Sequence, residues 1–329
     1  MYYFASPVWH QILRSIYIIL IVLCWSPNLL ADDRLELAYI VSDFRIPFWE
    51  TMTKGAQSKA DALGYDLTIY SAENSAKSEL VFTVKALKSG ISGLIISPTN
   101  SSAAVTILKL AKKAGIPTVI ADVGAESGDY LSYISSDNEK GAYEIGKILA
   151  QKMSDLGWQK GRVGIIAIPQ DRLNGQMRTT GFMRAMQEAG IGSAGLLQQS
   201  TFSYQETYDY SKTLLKNNAD LRAIWLQGSD RYQAALEAIV DTGKTEEVML
   251  ICFDAEPIFL DLIPQGVLLG AAMQQPYLMG EMAVISLDRF FKGLPVEKNQ
   301  QLPILAVSAD NISEKLPLIK RNVLGIGAN

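Results

Sequence analysis

The stretch Leu35–Trp49, LELAYIVSDFRIPFW, decides how the rest of this chain is read. Leu37–Val41 is an apolar strand, and it runs into a short loop carrying Arg45, Phe48 and Trp49. A helical pattern starts at once, with Trp49, Met52, Ala56, Ala60 and Leu63 on one face. Pro47 suits the first turn of that helix, because its fixed φ fits and its missing N–H is not needed there. A strand followed directly by a helix is the opening of an α/β sheet. Ligands bind such open sheets at the carboxyl ends of the strands. Arg45, Phe48 and Trp49 fall at that end of the first strand. A forked donor beside aromatic faces suits a small polar molecule with apolar CH surfaces, such as a sugar.

Working outward, strand-like and helix-like segments alternate from residue 35 to about 291. Strands are predicted at Leu37–Val41, Asp66–Tyr70, Gly93–Ile96, Thr118–Ala121, Val163–Ala167, Ala223–Leu226, Val248–Cys252 and Leu268–Ala272. Helices are predicted at Phe48–Leu63, Lys77–Lys88, Ala103–Ala114, Lys140–Leu156, Gln176–Ala189, Gln205–Asn217, Arg231–Thr242, Ile258–Ile263 and Leu278–Phe291. Ala104, Ile107, Leu108 and Ala111 form a plain buried stripe. Gly64 and Gly115 stand where a helix must stop before a strand begins. Such alternation predicts parallel sheets covered by helices on both faces. Two lobes are expected rather than one sheet of nine or more strands. The tail, Leu294–Asn329, is less periodic and reads as short strands and loops.

Arg14 precedes the apolar run Ile16–Trp25, and Leu29-Leu30-Ala31 offers a small residue for cleavage. This is the layout of a secretory signal, so residues 1–31 are expected to be removed on export; an uncleaved amino-terminal anchor is the alternative. The run is short for a span of about 20 residues. The 329-residue chain carries 30 Lys and Arg against 34 Asp and Glu, a formal net charge of −4. With no dense basic stripe, a nucleic-acid partner is not expected. The single histidine, His10, lies in the leader, and outside the leader there is one cysteine, Cys252, within an apolar run. An intrachain disulfide is then excluded from the mature chain. Zinc sites and Ser/His or Cys/His catalysis lose their usual ligands and base, so neither metal, cofactor nor enzymatic activity is expected. Carboxylate-only chemistry, through Asp122 and Asp254, is the surviving enzymatic alternative. The pattern Gly141…Gly146-Lys147-Ile148 approximates a phosphate-binding loop, but it lacks the terminal Ser/Thr and lies inside a predicted helix.

The ordered set IVSDFRIPFW, GYDL with Glu73-Asn74, LIISPTN, GIPTVIAD, YISSDN, Arg178 before Gly181-Phe182, ICFDA and MQQP resembles the type I periplasmic binding proteins of the ribose/galactose class. The resemblance covers essentially the whole chain after the leader. It implies two Rossmann-like lobes with parallel sheets, joined by three crossover strands, with a ligand clamped between them. Carried over by motif order, the crossings fall near Ser136/Asp137, Gln274/Gln275 and Ala309. The first lobe is then 32–136 plus 275–309, and the second 137–274 plus 310–329.

The same resemblance assigns candidate ligand residues. Phe48 and Trp49 match an aromatic pair that stacks on the sugar, although Trp49 also begins the buried stripe of its helix. Asp122 and Asp254 end strands, where carboxylates accept paired hydroxyl hydrogen bonds; a helix cap or hinge contact is the plainer alternative. Arg178 in NGQMRTTGF matches an arginine that forks onto ligand hydroxyls. Phe202 matches a stacking ring of the second lobe, and Gln274 a polar contact at a crossover. Ser97, Ser136 and Ser229 are further candidates; Ser136-Asp137-Asn138-Glu139 also reads as a capping box and Ser229-Asp230 as a helix start. The chain departs from the ribose-like pattern in having Ile46 and Ser97 where asparagines stand, Val123 where an arginine follows the aspartate, and Arg45 as a new cation. Loss of matched polar groups changes a ligand more than it weakens one, so D-ribose itself is not the expected ligand. The expectation is a monomeric periplasmic binding protein that closes on a sugar, sugar alcohol or sugar acid. Its partner is then a membrane ABC permease or, alternatively, a sensor histidine kinase or chemoreceptor.

Overall fold

The computed structural model describes residues 1–2 and 34–327. All but the first two residues of the expected leader, with His10 and Cys24, lie outside the described residues. Residues 35–327 form one compact unit built on two six-stranded sheets.

The first sheet takes β1 (Glu36–Val41), β2 (Asp66–Ser71), β3 (Gly93–Ser97), β4 (Thr118–Ala121) and β5 (Ser132–Ser136). Between them run α1 (Pro47–Leu63), α2 (Ala76–Ser89) and α3 (Ala103–Ala114). The second begins after α4 (Asn138–Asp155) with β6 (Arg162–Ala167), α5 (Leu173–Glu188), β7 (Gly192–Gln198), α6 (Tyr204–Asn217) and β8 (Leu221–Leu226). It continues through α7 (Tyr232–Asp241), β9 (Met249–Phe253), α8 (Phe259–Leu262) and β10 (Gly270–Met273). The chain then returns through α9 (Pro276–Phe291) to β11 (Asn299–Leu302), and ends with β12 (Leu305–Ser308) and α10 (Ile312–Leu318).

The strand orders are β11-β5-β4-β3-β1-β2 and β12-β10-β9-β8-β6-β7. Strands β1–β5 and β6–β10 thus occupy matching places, so the fold is a doubled α/β unit. All pairings are parallel except β10 with β12. Apolar strands β1, β3 and β4 are almost wholly buried, as parallel strands covered on both faces must be. Each fully buried Leu or Ile contributes about 1.5–3 kcal/mol of transfer free energy.

Helix α1 buries Trp49, Met52, Ala56 and Ala60 against Met279, Ala283, Val284 and Leu287 of α9. Gly55 permits that approach, because a Cβ there would overlap the Tyr277 carbonyl. The second sheet repeats the device: a Cβ on Gly181 of α5 would overlap the Glu139 carbonyl of α4.

The chain passes between the sheets three times: after β5, after β10, and between β11 and β12. These passages lie side by side, with the Asp137 N–H donating to Leu302 O (2.9 Å) and Gln275 Nε2 to Pro303 O (2.8 Å). The third falls at 303–304, whereas the resemblance places it near Ala309.

The tail differs from its expectation by containing a helix, Ile312–Leu318, continued by a π turn over Ile319–Val323. Pro317 masks the pattern: it removes an N–H donor inside the helix, and the wider turn follows it. Strand β7 is also unexpected, because GSAGLLQ is an exposed edge strand with no apolar run. The Gly141–Ile148 pattern lies inside helix α4 and not in a strand-to-helix loop.

Candidate functional site

The carboxyl ends of the two sheets meet. Asp122 follows β4 and Asp254 follows β9, the matching strand of the other sheet. Both take left-handed backbone, φ 68° and 67°, a region where Asp is among the tolerated residues. Their amides make matching bonds, Asp122 N–H to Ile134 O at 2.9 Å and Asp254 N–H to Ala272 O at 2.8 Å. The fold therefore places one aspartate at the same point of each lobe, by the same backbone device.

Arg178, in the second turn of α5, is buried between them. Its Nε donates to Asn138 Oδ1 (2.9 Å) and its Nη1 to Gln227 O (2.9 Å). Nη1 also lies 3.5 Å from Asp254 Oδ2, and the guanidinium stacks 3.9 Å over Phe253. Gln274 Nε2 donates to Asp254 Oδ1 (2.7 Å), and Asn174 Nδ2 to Asp122 Oδ2 (3.2 Å). Asp122 Oδ1, Gln227 Oε1 and Gln274 Oε1 are buried acceptors with no protein donor. Such atoms are rare in folded proteins, since each forfeits its hydration without replacement. Burial pushes the Asp122 carboxyl up to about 6, against the opposing pull of Arg178. Burial likewise raises Asp254, with Arg178 and Gln274 working the other way.

Of the sequence-predicted residues, the structure thus brings together Asp122, Arg178, Asp254 and Gln274. Phe202 takes left-handed backbone, φ 53°, and its ring lies 5.7 Å from the Arg172 guanidinium. Phe48 is half-buried, edge-on to Trp49 at 5.0 Å, while Trp49 itself is buried in the α1–α9 core. Ser97 Oγ is committed to Tyr39 Oη (2.8 Å), and Ser136 Oγ lies 3.7 Å from Met279 Sδ. The cap of α4 is Asp137, one residue later than the expected box, accepting from Lys140 N–H. Ser229 Oγ donates to Glu256 Oε1 (2.7 Å), and α7 begins only at Tyr232. Arg45 turns outward, paired with Asp43 at 2.7 Å.

Sequence reasoning missed Asn138, Arg172, Asn174 and Gln227. For Arg172, Asn174 and Gln227 the signal was the doubling: the segments after β6 and β8 stand where those after β1 and β3 stand in the first lobe, whereas Asn138 follows β5. Among the described residues, no group of three or more His, Cys, Asp and Glu side chains is placed to hold a metal ion. A surface cavity of about 510 Å³, lined by Ser286, Arg289, Glu297 and Gln300 among others, lies beside the edge strand β11 and includes none of the converging carboxylates.

A family model described as periplasmic binding protein domain matches residues 37–295. The ribose import binding protein of Haemophilus influenzae is 30% identical over 290 residues, covering 88% of this chain and 96% of the relative. The ribose import binding protein of Escherichia coli is 29% identical over 272 residues, covering 83% and 89%. A carbohydrate transporter solute binding protein from Agrobacterium radiobacter, solved in complex with D-arabinose, superposes with a TM-score of 0.81 at 22% identity, covering 89% of this chain and 99% of that one.

Proposed function

The chain belongs to the periplasmic binding protein family, and from that premise we propose that it captures a small polyhydroxylated ligand between its lobes and delivers it to an ABC importer. The observation that carries this reading is the matched pair Asp122 and Asp254, one from each lobe, converging on Arg178 with acceptor oxygens left over. Sugar hydroxyls supply the missing donors, and their oxygens accept from the guanidinium. The leftover groups are acceptors; one is a carboxylate oxygen of Asp122 and another belongs to the Gln274 amide bonded to Asp254. They favour a neutral sugar or sugar alcohol over a sugar acid, whose carboxylate brings charge and no donor. Arg178, Asp254, Gln274 and Asp122 form the polar contacts of this proposed site, and Phe48 and Phe202 its apolar walls. The three side-by-side passages are the hinge, dividing the lobes at 136/137, 274/275 and 303/304. The ligand shifts an open–closed equilibrium by bridging the lobes. The protein acts in the periplasm, as a monomer and without turnover. Curated relatives named as import binding proteins support the importer as the partner.

The test is a thermal-shift screen of the purified protein against pentoses, hexoses, polyols, sugar acids and small amines, followed by calorimetry of the hits. A ligand at a hundred times its dissociation constant adds about 2.7 kcal/mol to native stability. A neutral polyol giving that response fixes the class. Silence across all sugars and polyols overturns the proposal.

A further inference from the structure

Three consecutive residues of the second lobe, Arg172-Leu173-Asn174, bind the first lobe directly. Arg172 Nε donates to Thr99 O (2.9 Å) and its Nη2 to Asn74 Oδ1 (3.0 Å). Leu173 N–H reaches Ser101 Oγ (3.4 Å), and Asn174 reaches Asp122. Arg172 is 7% exposed, unusual for an arginine outside a structural ion pair. Its receiving surface is built. Buried Glu79 accepts from Thr99 N–H (3.2 Å) and Thr99 Oγ1 (2.9 Å), fixing the loop whose carbonyl Arg172 takes. Asn74 holds left-handed backbone at φ 58°, donates to Asp43 (2.9 Å) and accepts from Ser42 (2.9 Å).

The placement of these bonds matters. The passages lie beside β5, β11, β10 and β12, at one edge of each sheet. Asn74 follows β2, the strand at the opposite edge of the first sheet. Arg172 follows β6, next to the opposite edge of the second. Rotation about the passages separates the lobes most at that far edge, so the Arg172 bonds break as soon as the cleft opens.

We infer that Arg172 is a closure clasp: it sets the closed population of this chain by binding Thr99 and Asn74 across the cleft, without needing the ligand. It is a positioning residue rather than a ligand contact, and the inference rests on the hinge reading proposed above. A guanidinium with two acceptors is worth more than a neutral pair, so removing it lowers the closed-to-open ratio roughly ten- to a hundredfold. Apparent affinity falls with the closed fraction, by the same factor for every ligand.

The experiment measures interlobe distance by electron–electron resonance between spin labels at Lys77→Cys and Gln205→Cys, exposed positions on α2 and α6. Cys252 is buried and does not take a label. The sugar-free protein is expected to show a short-distance population that Arg172→Ala depletes and Arg172→Lys, with one donor head instead of a fork, depletes less. Asn74→Gly, which tolerates the left-handed backbone, removes one acceptor from the other lobe and gives the same direction of change should Arg172→Ala fold poorly. Absence of a short-distance population in the parent, or distributions unchanged in both the arginine and the asparagine variants, overturns the clasp. Sugar titration of the same labelled protein is a separate readout: no shift with any sugar sinks the ligand reading and leaves the clasp result standing.

Discussion

Asp254→Asn separates binding from stability. At φ 67° a change to Ala adds backbone strain of about 1–2 kcal/mol, which confuses loss of contact with loss of fold. Asn tolerates that backbone and keeps the volume. It also keeps one acceptor for Gln274 Nε2, now 2.7 Å from Oδ1. The variant loses the charge that faces Arg178 at 3.5 Å and the second acceptor offered to a ligand hydroxyl. A charge-assisted bond contributes about 1.5–3 kcal/mol, so losing the one offered to the ligand weakens binding by about that amount, roughly ten- to a hundredfold. The ligand-free protein behaves differently. Burial already raises the Asp254 carboxyl despite Arg178, so its ionised form is held at a cost. Arg178 retains Asn138, the Gln227 carbonyl and the Phe253 ring. The expected melting temperature without ligand is therefore unchanged or slightly raised. Calorimetry with the sugar found in the screen, beside thermal melts of both proteins, checks the pair of outcomes. Unchanged affinity removes Asp254 from the site; equal loss of affinity and of ligand-free stability makes it a structural residue and refutes the argument.

Glu79 is held up to about 7 by burial, with the Thr99 bonds pulling the other way. A carboxyl raised in the folded state adds stability fully below its unfolded value near 4.5 and loses it as pH rises through about 7. The melting temperature of the parent relative to Glu79→Gln is thus expected to fall between about pH 4.5 and 7 and then level off; a flat difference across that window contradicts the buried, raised carboxyl. Gly55→Ala and Gly181→Ala each drive a Cβ into a backbone carbonyl of the facing helix, so each is expected to lower stability by about 1–3 kcal/mol or more in denaturant unfolding, with a wild-type value at either position denying the close helix approach.

What the sequence disclosed followed from local signals. Helix Ala103–Ala114 and strand Thr118–Ala121 fall where the apolar stripe and the Gly115-Ile116-Pro117 break put them. Strands β5 and β7 escaped because SYISS and GSAGLLQ lack an apolar run, and tertiary pairing rather than propensity makes them strands. Asp122, Arg178, Asp254 and Gln274 were legible through their place after strands and in an ordered set of motifs. Arg172 was not, since its partners stand 73 and 98 residues away and no local pattern announces them. Ser97 and Ser136 illustrate the converse. Being at a strand's carboxyl end does not settle which face a side chain takes, and both hydroxyls are taken up by core partners, Tyr39 and Met279.

The doubling of the fold makes the remaining asymmetry informative. Asp122 and Asp254 share backbone conformation and position, yet their surroundings differ in origin. Arg178, Gln274, Asn138, Gln227 and Phe253 all belong to the second lobe, so Asp254 keeps every partner when the cleft opens. The amide partner of Asp122 is Asn174, which comes from across the cleft, in the first turn of α5 beside Arg172. One half of the proposed site is therefore preorganised and the other is completed by closure. Under the proposed function a ligand meets the second lobe first, where an ordered guanidinium and carboxylate wait at little reorganisation cost. Asp122 then engages only as Arg172 and Asn174 seat against Thr99, Asn74 and Asp122 itself. The residue that holds the lobes shut and the residue that seats Asp122 are thus two positions apart at the amino end of α5, which couples capture to closure without any contact beyond those described.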